Sequence, residues 1–389
     1  MTNGGLIMDD TDILLLLSLL ERPDATNKEL AATINVSEAT LSRRYKKLQQ
    51  RSILLGKSLQ INTLQLGLKS YQIIIIPTTP IAKNLLLFQL FFKNHSYTSY
   101  QNQMYGYQNG LYIHLNLPNK KEAYSLLHKF LQKLKDKKLI SQYMLFEPSY
   151  LPLVHRIDTT KYDVEAREFK MDYSVIRQLI HADIEDTGKL HQYKGTPYSV
   201  DEKDIKIIRE LFLDASRSLS SIGAAAGGIS KQDVSRRMLN MDINEWGYNI
   251  RYDREQFGVF NQTLFILDHD MNGLYALDEA LNKYPFPASI YIGEDHIILW
   301  VNLHAVDVTQ FTNILLERFS NVRLYLLSRK PLSYPPWENN LIDHTWRLDS
   351  EVIEKAWDEN QLVGIETFFD RYRDHSVEWL EKRLYGNGN

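Results

Sequence analysis

The sequence has no cysteine, which excludes disulfides, thiolate catalysis and cysteine-ligated zinc, and fits a reducing compartment. Long apolar runs are also missing. Ile13 to Leu20 is broken by Ser18 and Ile73 to Pro77 is shorter still, both well under the roughly 20 residues that span a bilayer. Neither charge sign dominates, with 45 Lys and Arg against 48 Asp and Glu, so any binding to a polyanion has to come from a local basic patch. Asp9 and Asp10 precede the first apolar run, where a secretory signal carries positive charge. These absences lead to the expectation of a cytoplasmic chain with no membrane partner.

The common small sites are absent too. His114, His128, His155, His181, His191, His269, His296, His304 and His344 are scattered without the paired spacing of metal ligands, so no metal is expected. Gly223 to Gly228 encloses Ala-Ala-Ala and reads as helix-turn packing, not a phosphate-binding loop. No cofactor is expected and the chain is not expected to be an enzyme. The first half lacks tryptophan; all six lie from Trp246 onward, where packing is their expected role.

What the chain does have is an internal repeat. Its 389 residues imply two to four domains. Asp9 to Leu68 lies over Asp201 to Val259 with one-residue gaps: Asp12-Ile13 on Asp204-Ile205, Asn35-Val36-Ser37 on Gly228-Ile229-Ser230, and Leu41-Ser42-Arg43-Arg44 on Val234-Ser235-Arg236-Arg237. Each copy is followed by a β-α-β-β-α-β pattern, from Tyr71 to Phe146 and from Thr263 to Leu327, which is the ferredoxin-like order. Phe169-Lys170-Met171-Asp172 is echoed by Trp346-Arg347-Leu348-Asp349. The predicted fold class is α+β, with two winged helix-turn-helix domains each followed by a ferredoxin-like domain and a C-terminal helical extension. The boundaries are 8–68 and 199–259 for the winged units, 69–150 and 260–330 for the ferredoxin-like units, 151–198 for a linker with a hinge at Asp186 to Pro197, and 331–389 for the extension.

The helix-turn-helix signature is local. Asn27 to Ile34 and Ser37 to Gln50 flank a turn at Asn35-Val36, and Ser37 is a natural N-cap. Ser230, with Asp233 three residues on, repeats that start. Leu41, Tyr45 and Leu48 form the packing stripe, reproduced by Val234, Met238 and Met241. The remaining positions are the candidate DNA contacts: Ser37, Glu38, Thr40, Ser42, Arg43, Lys46, Lys47 and Lys57 in the first copy, and Ser230, Lys231, Gln232, Ser235 and Arg236 in the second. Arg44 and Arg237 sit at the flank, where phosphate suits them better than bases. Leu41 to Lys57 has six basic residues and no acid, whereas the second copy is diluted by Asp242, Glu245 and Asp253. The first copy is therefore expected to be the better DNA binder.

Asn35-Val36-Ser37 with Thr40 to Arg44, and Asp214 to Ser218 with Gly228 to Ser230 and Val234 to Arg237, resemble the Lrp/AsnC (leucine-responsive regulator) family. The resemblance implies a winged helix-turn-helix joined to a ferredoxin-like effector and dimerisation domain, and covers most of Asp9 to Leu327 in two copies. Family members usually carry one copy per chain. It implies double-stranded DNA as partner, transcriptional regulation, a small-molecule effector and self-association through the ferredoxin-like domains. The family's effector pocket has a Gly and an Asp near its second hairpin; Gly293 and Asp295 fit that pattern loosely, while Gly106 to Asn109 lacks the acid. Two other readings stand beside regulation. Some proteins resembling this family are siroheme decarboxylases, for which His95 and His114 are the candidates here. Winged units also serve as protein-binding scaffolds.

Overall fold

The computed structural model describes residues 8–79, 81–185, 188–192, 197–257 and 261–386. Three capped helices come first. In α1 (Asp10–Glu21) the Asp9 carboxylate accepts from the Asp12 amide. α2 (Asn27–Thr33) starts with a reciprocal capping box between Thr26 and Glu29, and α3 (Glu38–Gln50) starts at Ser37, whose hydroxyl accepts from the Thr40 amide. Leu41 and Leu48 are buried in the same core as Ile13, Leu16 and Leu30, as the i, i+7 stripe requires.

Then come β1 (Leu54–Leu59), β2 (Leu68–Pro77), α4 (Ala82–Lys93), β3 (Thr98–Gly106), β4 (Gly110–Pro118), α5 (Glu122–Asp136) and β5 (Ile140–Phe146). A connecting stretch holds β6 (Leu153–His155), the small pair β7 (Tyr162–Asp163) and β8 (Glu168–Phe169), and α6 (Tyr173–Ile180). Half of the hinge expected at Asp186 to Pro197, residues 186–187 and 193–196, lies outside the described residues.

A second set of helices follows: α7 (Glu202–Leu213), capped reciprocally by Asp201 and Asp204; α8 (Leu219–Ala225), capped by Ser218; α9 (Lys231–Asn240), capped by Ser230; and the single turn α10 (Ile243–Trp246). A Cβ on Gly223 of α8 would lie 2.0 Å from the Ile229 carbonyl oxygen, so only glycine lets the turn close on the helix. Next come β9 (Tyr248–Tyr252), β10 (Asn261–Asp268), α11 (Met271–Leu281), β11 (Ala288–Ile292), β12 (His296–Leu303), α12 (Val308–Leu316) and β13 (Val322–Leu327). The β-α-β-β-α-β order expected from Tyr71 to Phe146 and from Thr263 to Leu327 is the order in which β2 to β5 and β10 to β13 occur with their helices. Gly258 and Val259, the end of the repeated segment, are outside the described residues.

The large sheet is antiparallel, with strands in the order β5-β2-β4-β3-β13-β10-β12-β11-β6. Period-two alternation splits each strand between two cores. Ile73 and Ile75 face the layer of α4 and α5, and Phe265 and Leu267 face that of α11 and α12. Their neighbours Ile74, Ile76, Leu264 and Ile266 share a third core, which therefore lies between the two halves of the sheet.

The cores cross the chain. α1, α2 and α3 share a core with β10 to β12, α11 and α6, whereas α7, α8 and α9 share one with β2, β4, α4 and α5.

The C-terminal segment differs from the helical extension expected for it. It has β14 (Leu332–Ser333) paired with β3, the pair β15 (Leu341–Ile342) and β16 (Thr345–Trp346), α13 (Ser350–Glu354), the hairpin β17 (Lys355–Asp358) and β18 (Gln361–Gly364), then α14 (Ile365–Tyr372) and α15 (Val377–Tyr385). Glu359 and Asn360, both at positive φ, turn the hairpin, a conformation that overrides the helical pattern around them. Phe368 and Phe369 pack edge-on against Phe91 and Phe88 of α4, and Lys93 donates to the carbonyls of Arg383 and Leu384.

Candidate nucleic-acid interface

α3 sorts its basic residues by face. Arg44 donates to both Asp9 oxygens at 2.6 and 2.7 Å and to Asp12 at 2.8 Å, and Lys47 donates to Asp12 at 2.7 Å. Asp12 is fully buried, so these cations neutralise a carboxylate that water does not reach. The Arg44 guanidinium, with the Asp12 amide, holds the Asp9 carboxyl below its ordinary value, and Asp9 and Asp12 raise Arg44 in return. The stretch without acids in the sequence thus acquires two in space. Arg44 and Lys47 clamp α3 to the start of α1, which differs from the DNA-facing positions expected for them.

Arg43 and Lys46 are exposed and, like the half-buried Arg51 just past the helix, form no ion pair among the described residues. Glu38 and Ala39 complete the outer face of the first turn, with Ser42 half-buried beside Arg43. Ser37 and Thr40 bond to each other at 3.0 Å. Lys57 lies elsewhere. It is on β1, half-buried, with its ammonium 4.0 Å from the centre of the Tyr248 ring, and burial lowers its pKa. β1 pairs antiparallel with β9, from Leu54 opposite Tyr252 to Leu59 opposite Tyr248. The expected wing is therefore one ribbon made by two distant strands, and Trp246, just ahead of β9, is buried.

In α9, Arg237 donates to both Asp201 oxygens at 2.8 and 2.9 Å, to Asp204 at 2.7 Å and to Asp233 at 3.3 Å. Burial alone raises the Asp201 carboxyl; the Asp204 amide and the Arg237 guanidinium outweigh it and bring it below its ordinary value. Arg236 is held by Asp233. Lys231 and Gln232 are exposed, Ser235 is half-buried beneath them, and the Ser230 hydroxyl caps the helix. The cap-to-arginine clamp, Asp201/Asp204 to Arg237 and Asp9/Asp12 to Arg44, is the functional-looking feature that sequence reading misassigned. Its trace was the repeated Asp-x-x-Asp opening each copy.

The effector candidates do not form a cradle. A Cβ on Gly293 would lie 2.7 Å from the Phe146 ring, and its carbonyl is 2.8 Å from His269 Nδ1. Asp295 is exposed, and its carbonyl accepts from the His269 amide. His95 is buried at 3.1 Å from the Ile353 carbonyl, and burial pushes it down to about 4. His114 packs against Tyr100, Tyr112 and Tyr291, and its buried Nε2 has no partner among the described residues. A crevice bounded by Leu68, Tyr97, Pro335, Trp337 and Trp346 holds about 10 Å³, room for one water. Among the described residues no cluster of His, Asp and Glu could hold a metal ion, and no helix is long and apolar enough to cross a membrane.

Residues 8–49 match the AsnC-type helix-turn-helix domain, a domain of the DNA-binding kind. No curated protein matches the chain by sequence. Among solved structures, the siroheme decarboxylase NirDL is similar over 85% of this chain and 94% of its own, with TM-score 0.51 and 10% identity. E. coli AsnC is 20% identical over 39% of this chain and 99% of its own, with TM-score 0.30. A transcriptional regulator from Neisseria meningitidis, solved with L-Met, is 19% identical over 36% of this chain and 87% of its own, with TM-score 0.29. The first likeness is one of fold, and it corrects one expectation. The exclusion of an enzyme does not stand, because a protein that shares this fold over most of its length is an enzyme.

Proposed function

We propose that the chain binds double-stranded DNA as a transcription regulator, with α3 as the principal recognition helix. The observation that carries this reading is the outer face of α3. Arg43 and Lys46 project unpaired from a helix that Arg44 and Lys47 anchor from behind. An anchored helix with free cations can enter a major groove and release counterions from phosphates. The AsnC-type match at residues 8–49 supports it. In this reading 8–68 and 199–259 are two helix-turn-helix units, 69–150 and 260–330 two ferredoxin-like units, and 151–198 and 331–389 the arms between and after them. The strand orders β5-β2-β4-β3 and β13-β10-β12-β11 support that division. The β1–β9 and β3–β13 pairings would then supply within one chain what the resemblance assigns to a dimer.

The test is fluorescence anisotropy on duplex DNA at several salt concentrations. Replacing Arg43 and Lys46 together by Ala should weaken binding and make the slope of log affinity against log salt less negative by about 2. Unchanged binding and slope would remove α3 from the interface.

A second reading, action on a siroheme-like tetrapyrrole, is favoured by the whole-length fold likeness and by the unpartnered His114 Nε2. Titrating purified protein with siroheme and following the visible spectrum tests it. An unshifted spectrum ends this reading, and a shift abolished by His114→Ala supports it.

A further inference from the structure

α3 and α9 are held by the same clamp, yet their outer faces carry different chemistry. In register, Glu38, Ala39, Arg43 and Lys46 of α3 correspond to Lys231, Gln232, Arg236 and Leu239 of α9. All eight are exposed, and Leu239 is 66% exposed although it is apolar. The two arginines differ as well. Thr40 leaves Arg43 free, whereas Asp233 at the matching position of α9 holds Arg236.

A two-fold pair of identical recognition helices reads a palindrome because each half presents the same atoms to its half-site. Here the frames match and the reading atoms do not. A free arginine suits guanine O6 and N7, and a glutamate at the start of the helix suits the cytosine amino group. Glutamine suits adenine N6 and N7, and an exposed leucine suits the thymine methyl. Resting on the DNA-binding reading above, we propose that the target is a duplex with two unlike half-sites. α3 takes a G·C-containing half and α9 an A·T-containing half, and the β1–β9 ribbon holds the two helices to one site.

The experiment is selection by the full chain from a randomised duplex pool, followed by anisotropy on the winner and on two palindromes made by doubling each of its halves. The expected winner is non-palindromic, with each doubled half binding about tenfold weaker or worse, as a few mismatched base pairs would give. The variant E38K/A39Q/T40D/K46L, which gives α3 the outer face of α9 together with the aspartate that holds its arginine, should move the preference to the doubled A·T half. Palindromic winners, or doubled halves that bind as well as the winner, overturn the proposal and leave DNA binding standing. A pool from which nothing is enriched overturns both.

Discussion

The units α1–α3 and α7–α9 share an architecture and divide over what they do with charge. Each starts with an Asp-x-x-Asp cap and returns an arginine from its third helix to those carboxylates, Arg44 to Asp9 and Asp12, and Arg237 to Asp201 and Asp204. The first unit adds Lys47 to the clamp and leaves Arg43 and Lys46 free; the second adds Asp233 to the clamp and ties up Arg236 with it. The lesson is that basic residues on an amphipathic helix have to be sorted by face and partner before they are counted as a binding patch.

The clamp itself should show the largest difference. Arg237→Ala strands Asp201 and Asp204, which no other cation of the clamp reaches, while Asp233 keeps Arg236, and should cost about 3–5 kcal/mol in denaturant unfolding. Arg44→Ala leaves Lys47 on Asp12 and should cost about 1–3 kcal/mol. Equal losses would mean that Lys47 contributes nothing to the first clamp.

Acid offers a smaller contrast. Asp9 and Asp201 are both held below the ordinary value of 3.8, so the stability they contribute is complete above that pH and is lost as the pH falls through their lower folded values. Asp9 is half exposed, and screening leaves its share at about 0–1 kcal/mol. Thermal melts between about pH 2 and 5 should show Arg44→Ala losing only the Asp9 part of this acid limb and Arg237→Ala only the Asp201 part. Identical acid limbs in wild type and both variants would place the acid sensitivity elsewhere.

The smallest effect concerns Leu239. Leu239→Lys restores at α9 the charge that Lys46 gives α3, and should make the salt slope of DNA binding more negative by about 1 without changing the unfolding midpoint. A shift in midpoint would show instead that Leu239 packs on something.

Much of this frame was legible in the sequence, because caps, stripes and strand alternation act over a few residues. Ser37 and Ser230 cap the helices their positions imply, and Leu41, Leu48 and Val234 are buried on the faces their spacing implies. What escaped depends on residues far apart in the chain. Asp9 and Asp12 lie 35 and 32 positions before the arginine they hold. Lys57 reads as one more DNA contact of the basic stretch until β9 brings Tyr248 over it. The β17–β18 hairpin hides in a helical-looking tail, because its turn depends on left-handed backbone at Glu359 and Asn360 rather than on glycine.

The crossed cores have a consequence for synthesis. Phe88 and Phe91 of α4 leave the ribosome about 280 residues before their partners Phe369 and Phe368. At typical elongation rates that interval is roughly 15–55 s. Throughout it the nascent chain displays an aromatic face that its own later residues are meant to cover. A product truncated before α14 would keep that face uncovered, and exposed apolar surface of this kind is what makes incomplete chains prone to aggregate.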